Sequence, residues 1–112
     1  KAEKAQGDTP MSLVDQKLTE SLMSFRDRKY DRVIALCTDV LGLEPENLVA
    51  LKRLGSALYV MKEYEKAGTV LQKAYDLEAN DKEKATIKKF LNLAQEKAKS
   101  RAPTAPAVPA TP

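Results

Sequence analysis

Apolar side chains recur every three or four residues along most of the chain, which is the spacing of one face of an α-helix. Five such stretches are separated by short breaks, and no alternation typical of a strand runs for a useful length. Short breaks require consecutive helices to fold back antiparallel. The pattern therefore predicts an all-α chain of five helices arranged as antiparallel hairpins.

The predicted helix bounds rest on residues that cap or stop a helix. A cap residue followed by proline, Thr9-Pro10, predicts the start of the first helix, which should end near Arg28. Gly42 and Pro45 predict the end of the second. In order, the predicted helices span about residues 10–28, 30–43, 48–60, 63–78 and 82–99. Polar residues that can cap a helix precede the third and the fifth: Asn47, and either Asn80 or Asp81.

Residues 30–45 and 64–79 have related sequences. At an offset of 34 residues the two segments share aromatic, apolar and acidic positions: Tyr30 and Tyr64, Leu43 and Leu77, Glu44 and Glu78. A period of about 34 residues is typical of a helical repeat, and such a repeat indicates binding rather than catalysis.

Residues 48–81 resemble a tetratricopeptide repeat. The matching side chains occupy the large apolar, small and aromatic positions of that family: Leu51, Leu54, Gly55, Leu58, Tyr64, Ala67, Leu71 and Ala74. Residues 14–47 resemble it less closely, with fits at Tyr30, Val40 and Pro45 but with Ser21 in place of the glycine. The resemblance implies an α-α superhelix of two repeats within residues 10–100, closed by a capping helix over residues 82–99.

Small residues predict where two helices approach each other closely. A glycine inside a helix costs about 1 kcal/mol relative to alanine, so close packing is the expected compensation at Gly55 and Ala67. Gly68, next to Ala67, is predicted to serve the same contact.

The two ends of the chain differ in composition from its centre. Residues 1–9 are polar and predicted to be disordered, whereas residues 101–112 contain four prolines and are predicted to form an extended linker. We expect a processed or excised part of a longer protein, since the chain begins at Lys1. No apolar run predicts a transmembrane segment. The compartment stays open between cytoplasm and periplasm, and the tail resembles the tethers of bacterial envelope proteins.

Basic residues are concentrated in the fifth helix. Seven Lys and Arg residues stand against two glutamates between Lys82 and Arg101, although the net charge of the 112-residue chain is only +3. One interpretation is a capping helix with a solvated outer side, and the other is contact with an acidic protein, nucleic acid or anionic lipid. The lack of interleaved aromatic and arginine residues argues against nucleic acid.

The residue types needed for catalysis are scarce. The chain has no histidine, and its one cysteine, Cys37, falls on a buried helical stripe and is predicted to belong to the core. No glycine-rich phosphate loop and no convergent set of carboxylates can be recognised. The sequence therefore predicts no enzyme, no cofactor and no metal site.

The resemblance implies that the first helix of each hairpin lines a hollow surface on which a peptide or helix of another protein docks. The candidate partner-binding residues on that surface are Leu22, Phe25, Val49, Lys52, Arg53, Ser56, Tyr59 and Phe90. Leu22 and Phe25 have a second interpretation as core residues. A two-residue slip of the fifth helix would instead bury Ile87, Phe90, Leu91 and Ala94.

A family clamp for C-terminal carboxylates is not expected, because Leu18 and Leu22 stand at its first-repeat positions, and Lys52 and Arg53 alone do not rebuild it. The predicted function is thus protein–protein interaction, as an adaptor, scaffold or assembly module. Self-association is the main alternative, and electrostatic attachment through the fifth helix is a third.

Overall fold

The computed structural model describes residues 12–101, and this part of the chain contains five α-helices and no strand. The helices are α1 (Leu13–Arg26), α2 (Tyr30–Leu43), α3 (Leu48–Val60), α4 (Tyr64–Leu77) and α5 (Asp81–Arg101). The predicted all-α fold is confirmed. The predicted disordered segment, residues 1–9, and residues 102–112 of the predicted linker lie outside the described residues.

None of the helices in the described part combines the length and the apolar character needed to cross a bilayer.

The first helix begins later than predicted. Ser12 has an extended backbone, and its Oγ accepts a hydrogen bond from Asp15 N at 3.0 Å, which makes it the N-cap of α1. The prediction of a continuous helix over residues 10–28 is therefore wrong at Ser12, which is a cap, and beyond Arg26, where the helix ends. Thr9 and Pro10 themselves lie outside the described residues.

The other caps follow the sequence closely. Asn47 Oδ1 accepts from Ala50 N at 2.9 Å at the start of α3, as predicted. Of the two candidates for α5, Asn80 is the cap, because its Oδ1 accepts from Glu83 N at 3.0 Å. The bounds of α2 and α3 agree with the prediction.

The turns after α1 and α3 have the same backbone geometry. Arg28 and Lys62 both lie in the left-handed region, with φ angles of 62° and 66°. In each turn the next N–H, of Lys29 or Glu63, donates to a carbonyl five residues earlier at 2.8 Å. This is the Schellman arrangement that ends many helices. Since 34 positions separate Arg28 from Lys62, the period in the sequence is also a period of backbone structure.

Two clusters of buried side chains share the core. The first joins all helices after α1 through Val33, Cys37, Val40, Ala50, Leu54, Ala57, Leu58, Ala67 and Ala94. The second joins α3, α4 and α5 through Leu51, Leu71, Ala74, Ile87 and Leu91. α1 adds partly buried residues to the first cluster, among them Val14 and Phe25. Consecutive helices therefore pack in sequence order around a common interior.

The register of α5 follows the two-residue slip at three of its four positions. Ile87, Leu91 and Ala94 are buried, whereas Phe90 remains 44% exposed. The prediction that the slip would bury Phe90 is wrong, because its ring extends toward Tyr59 of α3 instead of into a cluster. α5 thus turns an apolar stripe to the core and keeps one aromatic ring at the surface.

Gly55 of α3 lies at a close contact with α4. A Cβ built on Gly55 would stand 2.6 Å from Leu71 Cδ2 and 2.7 Å from Leu71 Cγ, so no side chain fits there. The atoms nearest to Gly55 come from the Leu71 side chain, so tight packing at Gly55 is found, and the close approach of helix axes at Gly55 and Ala67 stays a prediction. Gly68 does not serve this contact, because a Cβ there would meet only Gln95 Cγ of α5, at 3.8 Å.

Candidate partner-binding face

The first helix of each hairpin contributes to one connected surface, which we call the α1–α3–α5 face. On one side, Arg53 of α3 donates to Leu18 O of α1 at 3.0 Å. On the other, Lys52 Nζ lies 3.3 Å from Glu83 Oε1 at the start of α5. These contacts make α1 and α5 neighbours of α3 on its two sides.

Three large apolar side chains are exposed on this face, one from each helix. Leu22 of α1 is 40% exposed, Val49 of α3 is 46% exposed and Phe90 of α5 is 44% exposed. The hydroxyl-bearing Ser56 is also exposed on α3. Leu22 belongs to neither core cluster, so its interpretation as a core residue is wrong.

The two remaining aromatic candidates are partly buried. The ring of Phe25 meets that of Tyr30 edge-on, with centroids 5.3 Å apart, and it packs against the first core cluster. For Phe25 the interpretation as core is therefore the better one. The ring of Tyr59 contacts Tyr64 at 5.4 Å and Phe90 at 6.5 Å, so only part of it faces solvent. Tyr59 is best described as the edge of an aromatic cluster shared by α3, α4 and α5.

The guanidinium of Arg53 is engaged within the fold. Its Nη1 donates to Leu18 O and to Ser21 Oγ, both at 3.0 Å. Ser21 is fully buried and donates its own hydroxyl proton to Leu18 O at 2.7 Å. Ser21 holds the first-repeat position that Gly55 holds in the second repeat, so Arg53 satisfies the polar group introduced by that substitution. The sequence does contain a sign of this contact, because a serine on an apolar helix face needs a polar partner when it is buried.

Lys52 is held by two carboxylates beyond α3. Its Nζ lies 2.7 Å from Glu78 Oε1 and 3.3 Å from Glu83 Oε1. Glu78 is only 9% exposed, and its Oε2 accepts from Asn80 N at 3.0 Å. The ion pair with Lys52 and the Asn80 N–H lower the pKa of Glu78, and the Glu78 carboxylate, followed by Glu83, raises the pKa of Lys52. These contacts join α3 to the turn between α4 and α5.

Replacing Glu78 with glutamine should make the melting temperature less dependent on pH in the acidic range. The folded state lowers the pKa of Glu78 below its ordinary value of 4.5, so its stabilising effect is complete above that pH. The effect is lost as the pH falls through the lowered value. Thermal melting should show wild type further above Glu78→Gln at pH 7 than at pH 3.

The exposed Glu65 on α4 provides the matched control for this change. Glu65→Gln should leave the difference between the two melting temperatures close to that of wild type. A Glu78→Gln variant with the same acid sensitivity as wild type would show that the ion pair does not contribute to folding.

Cys37 is fully buried between α1, α2 and α3, as predicted. Burial raises the pKa of its thiol, and this is only partly opposed by a hydrogen bond with Ser21 and the nearby charge of Arg53. Such a thiol stays protonated and is a poor nucleophile. Across residues 12–101, no group of three or more His, Cys, Asp or Glu side chains is arranged to hold a metal ion.

The lysines of α5 make contacts within the fold. Lys84 Nζ lies 4.2 Å from the centre of the Tyr75 ring and donates to Tyr75 O at 2.9 Å, and Lys88 Nζ lies 5.2 Å from the same ring. Lys97 Nζ lies 5.8 Å from the centre of the Tyr64 ring. These three cations lie against aromatic side chains of α4.

An open groove of about 610 Å³ also lies between α4 and α5. Most of its accessible lining is apolar, although Gln72, Gln95 and Lys99 contribute to it, and it contains none of the eight candidate residues.

A comparison with family models matched residues 24–88 to the model described as "Tetratricopeptide repeat". The match covers more than half of the chain and runs from the end of α1 into α5. Comparisons with curated proteins and with solved structures found no match. The resemblance noted in the sequence is confirmed.

Proposed function

The chain belongs to the tetratricopeptide repeat family, whose members generally mediate protein–protein interaction, and from this premise we propose that it is an adaptor or assembly module. A peptide or helix of its partner would dock on the α1–α3–α5 face. The observation that carries the proposal is that the apolar candidates Leu22, Val49 and Phe90, one from each of the three helices, are exposed. Large side chains buried at the centre of an interface supply most of its binding energy.

A non-catalytic role accords with the same residues. The chain lacks histidine, and the buried Cys37 has a raised pKa, so neither of the commonest nucleophile and base types is in reach of a substrate. The function would then be recognition, with its strength set by the apolar residues on the face.

Substituting Leu22 or Phe90 with alanine should weaken partner binding by about tenfold, which corresponds to about 1.4 kcal/mol. Each change removes an apolar contact that the partner would cover, while leaving both core clusters intact. The measurement uses the full chain to screen an array of short peptides, followed by fluorescence anisotropy titration of the peptides that bind.

Leu43→Ala is the matched control, because Leu43 is exposed at the end of α2 and lies outside the face. It should bind like wild type, and circular dichroism should show equal helicity for all three variants. Peptide affinities that are the same for wild type, Leu22→Ala and Phe90→Ala would refute the α1–α3–α5 face as the docking surface.

Self-association is the second candidate function, supported by exposed apolar side chains outside the face. Leu13, Met23 and Leu43 are each more than half exposed. Sedimentation over a range of protein concentrations distinguishes the two proposals. A mass that rises with concentration favours self-association, and a constant monomer mass favours a different protein as partner.

Electrostatic attachment through α5 has less support. Lys84, Lys88 and Lys97 lie against tyrosine rings of α4, so part of the basic charge already serves the fold. Binding abolished by moderate salt would favour this third function.

A further inference from the structure

We propose that the α1–α3–α5 face recognises an internal apolar segment of its partner and makes no use of a C-terminal carboxylate. This proposal rests on the proposed function, since it specifies what kind of segment would occupy the same face. It follows from the state of the two basic candidates on the face, Lys52 and Arg53.

Recognition of a carboxylate requires a cationic donor that is free to turn toward it. Arg53 directs Nη1 at Leu18 O and Ser21 Oγ, and Ser21 is a fully buried group that would lose this partner if the guanidinium turned away. Turning away would break two hydrogen bonds between α3 and α1. The Nη1 group of Arg53 is therefore occupied in holding α1 on α3.

Lys52 pairs with two carboxylates instead of one. It faces Glu78 at 2.7 Å and Glu83 at 3.3 Å, so these three side chains carry a net charge of −1. An incoming carboxylate would have to displace the nearly buried Glu78 or accept repulsion from both glutamates. The immediate surroundings of Lys52 thus disfavour an added negative charge.

The other candidate residues of the face are apolar or neutral. Leu22, Val49 and Phe90 are exposed, and Tyr59 and Ser56 lie beside them on α3. Such a surface fits apolar and aromatic side chains in the middle of a peptide or along one side of a helix, a mode in which the anchors are side chains and not the chain end. Because no ion pair with the partner is needed, the affinity should depend weakly on salt.

The test compares each binding peptide in two forms, one with a free C-terminal carboxylate and one with a C-terminal amide, titrated against the full chain. We expect the two dissociation constants to agree within about twofold, and to change by less than about threefold between low and high salt. Free acids that bind at least about tenfold more tightly than the amides would overturn the proposal. So would a strong loss of affinity in high salt.

Lys52→Met gives a second reading on the same peptides. We expect it to leave the ratio of the acid and amide constants unchanged, and a loss confined to the free acids would overturn the inference. The two proposals can fail separately. Binding that depends on Leu22 and Phe90 and also on the carboxylate overturns only this inference, whereas a chain that binds no peptide overturns both.

Discussion

Replacing Gly55 with alanine is expected to destabilise the fold by about 1–3 kcal/mol, although alanine is the better helix former. The added Cβ would stand 2.6 Å and 2.7 Å from two carbons of Leu71. One of them, Cγ, lies too close to the Leu71 backbone to move away by rotation of the side-chain end alone. Leu71 is itself buried among α3, α4 and α5, so its side chain has little room to move and either it or α4 must shift. This cost exceeds the gain of about 1 kcal/mol in helix propensity.

Two other glycines provide controls for this prediction. A Cβ on Gly42 in α2 would meet nothing within 4 Å, so Gly42→Ala should stabilise by about 0.5–1 kcal/mol. Gly68→Ala should be close to neutral or stabilising, because its nearest neighbour would be Gln95 Cγ at 3.8 Å. Chemical denaturation gives all three values. If Gly55→Ala unfolded at the same denaturant concentration as Gly68→Ala, the claim that Leu71 leaves no room for a Cβ at Gly55 would be refuted.

Much of the fold could be predicted from local sequence. The bounds of α2 and α3 agree because the signals that set them, Asn47 and the apolar spacing, act within one helical turn. The 34-residue period applies to backbone conformation as well as to side-chain type, since Arg28 and Lys62 share a left-handed backbone. The local sequence determines the geometry of each turn, and that local sequence recurs after 34 residues.

Features that depend on which helix passes nearby could not be predicted. Gly55 and Gly68 look alike in sequence, yet only Gly55 faces a leucine that leaves no room for a Cβ. Likewise Leu22 and Phe25 are three residues apart on α1, but only Phe25 packs against the ring of Tyr30. Helical spacing identifies a face of a helix, whereas packing decides which residues of that face are covered.

The contacts of the two basic candidates could not be predicted from sequence either. Lys52 and Arg53 are adjacent, and the sequence analysis predicted that both bind a partner. Their contacts come from distant positions: Arg53 bonds to Ser21, 32 residues away, and Lys52 pairs with Glu83, 31 residues away. Ser21 replaces the glycine of the repeat, so the first hairpin is attached through polar groups where the second uses close packing. That substitution gives Arg53 a structural contact with α1.

Truncating Leu91 to alanine is expected to have the largest effect on stability, a loss of about 2–5 kcal/mol. Leu91 is 2% exposed and lies in the second core cluster, where it packs with residues from α3 and α4. Its removal would leave a cavity at the place where α5 covers the second hairpin. Because α5 contributes to both clusters, the loss should appear in the unfolding of all five helices and not only in α5.

Leu93, two residues further along α5 and 37% exposed, is the matched control. Leu93→Ala should cost less than about 1 kcal/mol, since a partly exposed side chain leaves no sealed cavity. Urea unfolding followed by circular dichroism gives both values, and amide hydrogen exchange shows which helices open together. If Leu91→Ala raised exchange in α5 alone and left α3 and α4 protected, α5 would be an appended helix and not part of a common core. Such a result would also remove Phe90 from a fixed position on the α1–α3–α5 face, because its place beside Tyr59 depends on α5 staying packed.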